Sequence, residues 1–310
     1  GGSLTHSHCL TSARAATTHA RMNRSPVPVL TSIASLAGTY DAWLCDIWGV
    51  MHNGESPFPG AADACSRFRA QGGTVVMISN SPRPGHAVAH QMAEIGVPED
   101  TYDAIVTSGD TTRQVVAERR DIPFFHLGPE RDKPLLDGLD VRPVRLEEAG
   151  YVLCSGLFDD LNETPADYAD MLREMHDRAL PMVCANPDIQ VERGNRLIYC
   201  AGALAAAYAE LGGEVSYTGK PHPPIYRSAC QLVTRARGAG VPVSRILCIG
   251  DGIKTDMIGA AAAGMDAVFV ASGLHIGNEY ARNGLTPDSL ENAFSGVSVR
   301  PAAAMAGLAW

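Results

Sequence analysis

The sequence predicts an α/β fold in which a doubly wound parallel sheet forms the core. Three observations support this prediction: short apolar runs alternate with amphipathic stretches from residue 42 onward, the runs are almost continuously apolar, and most amphipathic stretches end near glycine. The chain has 310 residues, of which 45% are hydrophobic and 19% are charged, so it can bury more than one core. We therefore expect two lobes, the second inserted into the first.

Seven apolar runs are predicted to be strands, because a strand covered on both faces of a parallel sheet is apolar throughout. They span residues 42–45, 74–78, 104–106, 151–154, 181–185, 245–249 and 267–271. The stretches between them place apolar residues three and four positions apart, which predicts helices over 61–71, 86–95, 111–119, 165–178, 202–211, 224–238 and 257–263. Periodicity alone does not distinguish the short apolar runs from short buried helices.

Charge and composition exclude several classes of protein. The formal net charge of -9, with no basic patch, disfavours binding to nucleic acid or to an anionic membrane surface. The apolar runs are too short to cross a bilayer, and the 8 cysteines form no CxxC pair, so we expect a cytoplasmic protein with free thiols. Residues 1–28 are rich in Ser, Thr and Ala and are expected to be a leader or a tag remnant, disordered and outside the fold.

Polar side chains follow several predicted strands at the point where each strand ends. Asp46 follows the first strand, Ser79, Asn80 and Ser81 follow the second, and Asp251 and Asp256 follow the sixth, whereas Lys220 precedes a helix. Ligands of open parallel sheets bind outside the carboxyl ends of the strands. We therefore expect these side chains to meet at one edge of the sheet.

The predicted cluster suits phosphoryl chemistry. Carboxylates are the ligands that Mg²⁺ prefers, and a carboxylate can also attack phosphorus while a metal and a lysine offset charge on the phosphoryl oxygens. An aspartate after a strand is by itself more often a turn residue or a helix cap. Four such elements in four loops, in this order, favour a functional site.

The same four elements resemble the ordered motifs of the haloacid dehalogenase superfamily, and most closely its NagD-like (class IIA) phosphatases. The matching runs are DIWGV (46–50), ISNS (78–81), GKP (219–221) and GDGIKTD (250–256). The resemblance covers roughly residues 42–273. It implies a Rossmann-like core formed by residues 29–83 and 218–310, with residues 84–217 inserted as a C2-type α/β cap that shapes the substrate pocket.

The resemblance also implies roles for individual residues. Asp46 would be the nucleophile and a Mg²⁺ ligand, and Lys220 would hold Asp46 and the phosphate together. The remaining metal ligands would be the backbone carbonyl of Trp48 and the side chain of Asp251, with Asp256 in support. The phosphate or substrate would be bound by Ser79, Asn80, Ser81 and the cap residues Asn186 and Asp188. The implied substrate is a small phosphorylated metabolite. Family members often dimerise through their caps, so the resemblance makes a homodimer possible, whereas the sequence itself leaves the oligomeric state open.

One position departs from the family pattern. Family phosphatases place a second aspartate two residues after the nucleophile as general acid and base, and this chain has Trp48 there. General acid and base assistance contributes roughly 10² to 10⁴ in rate, so the substitution predicts a slow enzyme or one restricted to good leaving groups. His52 is a candidate substitute acid. The alternatives are a non-catalytic protein that binds a phosphorylated metabolite or partner, and a metal-independent dehalogenase that uses Asp46.

Overall fold

The computed structural model of the chain describes residues 26–193, 196–271 and 284–310. Within these ranges the strands are β1 (Val29–Leu30), β2 (Ala42–Asp46), β3 (Thr74–Ser79), β4 (Ala104–Thr107), β5 (Phe124–Leu127), β6 (Tyr151–Cys154), β7 (Met182–Cys184), β8 (Gln190–Arg193), β9 (Arg196–Tyr199), β10 (Val215–Tyr217), β11 (Ile246–Gly250), β12 (Asp266–Val270) and β13 (Ala303–Met305). The α-helices are α1 (Ala34–Ala37), α2 (Pro59–Ala70), α3 (Gly85–Ile95), α4 (Ser108–Glu118), α5 (Ala169–Asp177), α6 (Ala201–Glu210), α7 (Pro223–Arg237), α8 (Ile258–Ala262) and α9 (Pro287–Ala293).

The larger sheet has seven parallel strands in the order β1-β13-β12-β11-β2-β3-β4. Successive side chains of β2 point to opposite faces, so that Trp43 packs with α1, α2 and α3 while Leu44 packs with α7, α8 and α9. Both faces are therefore covered by helices. This arrangement confirms the predicted α/β fold with a parallel sheet.

A second, smaller sheet has four parallel strands in the order β10-β7-β6-β5. Helices α5 and α6 cover one of its faces and α4 contributes to the other. The antiparallel hairpin β8–β9 follows the end of β7. None of the helices in the described part of the chain is long and apolar enough to span a bilayer.

Strand pairing and burial bear on two of the predicted domain boundaries. Strand β4 pairs in parallel with β3, so the chain completes one more strand of the larger sheet after residue 83 before it enters the smaller one. At the amino end, the predicted leader lies outside the described residues up to residue 25. Val27 is nevertheless buried, and the carbonyl of Pro28 accepts a hydrogen bond from the backbone N–H of Ala304. These residues therefore belong to the packed chain.

All seven predicted strands are present, each with ends within one residue of the prediction. The predicted helices are present too, although the stretch 165–178 begins with a 3₁₀ turn (Pro165–Tyr168) and Ile253–Met257 forms a π-helical turn before α8. The strands that the pattern missed are β1, β5, β8, β9, β10 and β13. They are two to four residues long. Several, such as β8 and β9, carry polar or exposed side chains, and the apolar residues of β1 and β13 form runs too short to indicate a strand.

Candidate active site

The loops predicted to converge do meet at the carboxyl end of the larger sheet. Asp46 is the last residue of β2, and Asp251 directly follows β11. Lys220, which lies between β10 and α7, is 2% exposed. Its Nζ lies 2.7 Å from Asp46 Oδ1 and 2.8 Å from Asp256 Oδ1. One buried ammonium thus joins a carboxylate at the end of β2 to a carboxylate in the turn that follows β11.

Three carboxylates form a compact group in the site. One oxygen each of Asp46, Asp251 and Asp256 lies within 4.8 Å of the other two. Asp256 Oδ2 accepts a hydrogen bond of 3.1 Å from the N–H of Gly252. A Cβ at Gly250 would lie 2.2 Å from Asp256 Cγ, so only glycine allows this approach. Clustered hard oxygen donors of this kind can hold a divalent cation.

The electrostatics of the cluster are dominated by excess negative charge. Burial raises the pKa of Asp46 above its ordinary value, and the nearby Asp256 and Asp251 raise it further against the opposing effect of Lys220. Burial alone would lower the pKa of Lys220, but Asp256 and Asp46 raise it above its ordinary value, so the side chain is an ammonium. Three carboxylates face one ammonium, and a divalent cation would offset the imbalance.

The polar residues after β3 have different partners. The hydroxyl of Ser79 accepts a hydrogen bond of 3.1 Å from the N–H of Ser81 and lines the cavity above Asp46. The amide of Asn80 donates to the Lys220 carbonyl (3.1 Å) and to Asp188 Oδ1 (2.9 Å), and it accepts from the Lys220 N–H (2.7 Å). Both side-chain N–H groups of Asn80 are therefore engaged, and this side chain positions Lys220 instead of facing a phosphate.

The loop after β7 reaches from the smaller sheet to the same cavity. Asn186 Oδ1 accepts a hydrogen bond of 3.0 Å from the N–H of Asp188. Asp188 lines the cavity beside Asp46, Ser79 and Trp48, and it raises the pKa of Lys220. Both residues predicted to belong to the cap therefore lie at the site: Asp188 accepts a hydrogen bond from Asn80, and Asn186 is bonded to Asp188.

Trp48 is half-buried and lines the cavity, with its indole against the loop that follows. Gly54 lies under the ring with a φ of +90°, and a Cβ there would be 2.6 Å from Trp48 Cζ2. His52 is 1% exposed, and its Nδ1 accepts a hydrogen bond of 2.9 Å from the N–H of Gly54. Burial lowers the pKa of His52 to about 4, so the imidazole is neutral near pH 7 and is a poor proton donor.

Some residues around the site were missed by the sequence analysis. Thr218 Oγ1 lies 2.9 Å from Ser108 Oγ and 2.8 Å from Thr112 Oγ1, which anchors the segment that carries Lys220 to α4. Three arginines, Arg83, Arg131 and Arg193, line an adjoining cavity. Only Arg83, four residues after Ser79, could have been suspected from its position.

The chain is similar to known haloacid dehalogenase-like proteins. A family model described as haloacid dehalogenase-like hydrolase matches residues 43–142, and a second, HAD-hydrolase-like model matches residues 217–294. A solved structure of a haloacid dehalogenase-like hydrolase from Brucella suis is 48% identical, with a TM-score of 0.81, and the match covers 90% of this chain and 99% of that chain.

Two curated relatives are more distant. The 5′-nucleotidase YutF of Bacillus subtilis is 24% identical over 240 residues, which cover 76% of this chain and 89% of that protein. The ribonucleotide monophosphatase NagD of Escherichia coli is 26% identical over 242 residues, which cover 74% and 87%. The chain therefore belongs to the haloacid dehalogenase-like family of hydrolases, with NagD among its relatives.

Proposed function

We propose that the protein is a Mg²⁺-dependent phosphatase that hydrolyses a small phosphate ester through an aspartyl phosphate on Asp46. The observation that carries this proposal is the contact of Asp46 with the Lys220 ammonium at 2.7 Å inside a cluster of three carboxylates. The named relatives, a 5′-nucleotidase and a ribonucleotide monophosphatase, act on phosphate monoesters, which supports the same reaction class.

The reaction uses groups whose positions suit it. Asp46 Oδ1 is held by Lys220 and by the N–H of Ile47 at 2.8 Å, which orients the carboxylate. A carboxylate oxygen of Asp46 forms a bond to phosphorus as the ester P–O bond breaks and the leaving oxygen departs with its electron pair. Water then attacks phosphorus, the bond to Asp46 breaks, and phosphate is released with the carboxylate restored. Ser79 and Lys220 bind the phosphoryl oxygens throughout.

The donor set fits a divalent cation. Asp46 and Asp251 would hold Mg²⁺ together with the backbone carbonyl of Trp48, and Asp256 would support them. When bound, the ion neutralises negative charge on the phosphoryl group and the nucleophile. Without it, the like charges of the three carboxylates disfavour the approach of an anionic substrate.

The leaving group receives little help in this site. Trp48 stands at the position where an acid is expected, and its indole N–H is far too weak an acid to protonate a leaving group. The neutral His52 does not replace it. We therefore expect turnover to rise steeply as the leaving group becomes more acidic.

The first test is release of 4-nitrophenol from 4-nitrophenyl phosphate, because this leaving group needs no protonation. We expect turnover with Mg²⁺ that is lost with EDTA and lost in Asp46→Asn. The matched control is Asp63→Asn, which changes an exposed carboxylate on α2 that pairs with Arg67 and should retain activity. Turnover in Asp46→Asn equal to that of the wild type would refute the nucleophile assignment.

The presence of Trp48 also favours a second candidate, a protein that binds a phosphorylated metabolite without turning it over. The variant Trp48→Asp separates the two. If the missing acid is the only defect, this variant should hydrolyse alkyl phosphates about tenfold faster or more. Phosphate binding without turnover in both proteins would support the binding role. The carboxylate cluster argues against the dehalogenase alternative, since displacement at carbon needs no metal.

A further inference from the structure

A second cavity opens beside the candidate active site. It measures about 200 Å³ and shares Trp48 and Ser79 with the site. It is lined by Arg83 from the loop after β3, Arg131 from the 3₁₀ turn after β5, and Arg193 at the end of β8, among other residues. We call this space the arginine cavity.

The charges of these arginines are only partly balanced. Arg131 pairs with Asp160, whereas Arg83 Nη2 donates to the neutral amide of Gln91. In the described part of the chain, neither Arg83 nor Arg193 forms an ion pair with a carboxylate. Burial lowers the pKa of Arg83, and Asp132 opposes this effect. Arg131 and Arg193 lower the pKa of Arg83 further, so both guanidinium groups repel that of Arg83.

The carboxylates that line the arginine cavity are already engaged. Asp188 accepts a hydrogen bond from Asn80, and Asp160 pairs with Arg131. Asp132 is 2% exposed and bonded to Ser155, and burial raises its pKa to about 6, which weakens it as a counter-ion. The guanidinium groups of Arg83 and Arg193 therefore lack a dedicated anion.

We propose that the substrate is a short phosphorylated carboxylic acid, whose carboxylate binds Arg83 and Arg193 while its phosphoryl group lies at Asp46 and Ser79. This inference rests on the proposed phosphatase function. A guanidinium fork matches a carboxylate in shape and charge, and the bond is charge-assisted. A cavity of about 200 Å³ is smaller than the roughly 300 to 1,000 Å³ of pockets for drug-sized ligands, which disfavours a nucleoside.

The test compares two esters that differ only at the far carbon. Racemic 3-phosphoglycerate carries a carboxylate where racemic glycerol 3-phosphate carries a hydroxymethyl group. We expect kcat/KM to be about tenfold higher or more for 3-phosphoglycerate, because a hydrogen bond to a charged group is worth that factor or more. Adenosine 5′-monophosphate should be a poorer substrate than 3-phosphoglycerate.

Two arginine variants test whether Arg83 and Arg193 cause the preference for 3-phosphoglycerate over glycerol 3-phosphate. Arg83→Gln and Arg193→Gln should each reduce the ratio of the two kcat/KM values by about tenfold. Arg193 is exposed, so its variant keeps the test valid even if Arg83→Gln fails to fold. Arg67→Gln, which removes an exposed arginine on α2, is the control and should keep the ratio.

The outcomes separate this inference from the proposed function. Equal kcat/KM for the two esters, with hydrolysis of 4-nitrophenyl phosphate intact, would overturn the carboxylate site and leave the phosphatase. An unchanged ratio in both arginine variants would overturn the assignment of the site to these residues. Absence of turnover with every ester would overturn the proposed function, and the inference with it.

Discussion

Acid should destabilise the protein through His52. Burial lowers the pKa of this imidazole from 6.5 to about 4, whereas in the unfolded chain it titrates near its ordinary value. Between these pH values the unfolded state binds a proton that the folded state does not. The free energy of unfolding that this difference in pKa contributes is therefore fully present above pH 6.5 and is lost as the pH falls towards 4. At about 1.4 kcal/mol per pKa unit, the full difference is ~3 kcal/mol.

The variant His52→Asn isolates this effect. An asparagine carbonyl can accept the bond that Nδ1 now accepts from the N–H of Gly54, but it does not ionise. Urea unfolding at pH 7.5 and 4.5 should show that the wild type loses about 2.5 kcal/mol more than the variant across this interval. All other titrating groups are common to both proteins, so their contributions cancel in the difference.

An exposed histidine provides the control for this experiment. His90 lies on the surface of α3 beside Glu94, and His90→Asn should follow the wild type across the pH range. If wild type and His52→Asn lose stability in parallel, the imidazole is not held neutral by burial. That result would also return His52 to the candidates for general acid.

Three further predictions concern charge and space in the two lobes. Lys220→Met leaves buried carboxylates unpaired and should lower the free energy of unfolding, measured with urea, by about 3 kcal/mol. The loss should be smaller in millimolar Mg²⁺, and equal losses with and without Mg²⁺ would contradict a metal at the cluster. Gly54→Ala forces a Cβ against Trp48 at a φ of +90°. It should lower Tm more than Gly72→Ala does, because Gly72 has a similar φ of +86° but open space around it. Equal losses of Tm would contradict the close packing at Gly54. Burial raises the pKa of Asp132 from 3.8 to about 6, so the folded protein holds this proton more tightly than the unfolded chain, and stability falls as the pH rises through this window. The Tm of Asp132→Asn should therefore rise relative to that of the wild type between pH 4 and 7.5. A constant difference in Tm would count against the shift.

The sequence predicted five strands of the larger sheet, β2, β3, β4, β11 and β12, because these strands are apolar over most of their length. A run such as 74–78 is apolar at every position, and the loops after such runs carry the polar residues of the site. Asp46, Ser79 and Asp251 could be placed at one edge because parallel strands present their carboxyl ends together. The short strands, such as β5 and β10, lack that pattern and were not predicted.

The amino-acid sequence by itself determined the fold class and the convergence of Asp46, Ser79 and Asp251 at one edge of the sheet, because these follow from local hydrophobicity and the geometry of parallel strands. Only the tertiary structure decided which partners the polar groups take. The bond of Asn80 to Asp188 joins residues 108 positions apart, and the arginine cavity forms between segments that no local pattern connects. Such contacts depend on how segments far apart in the sequence pack together, and that packing is set by the summed burial of many side chains.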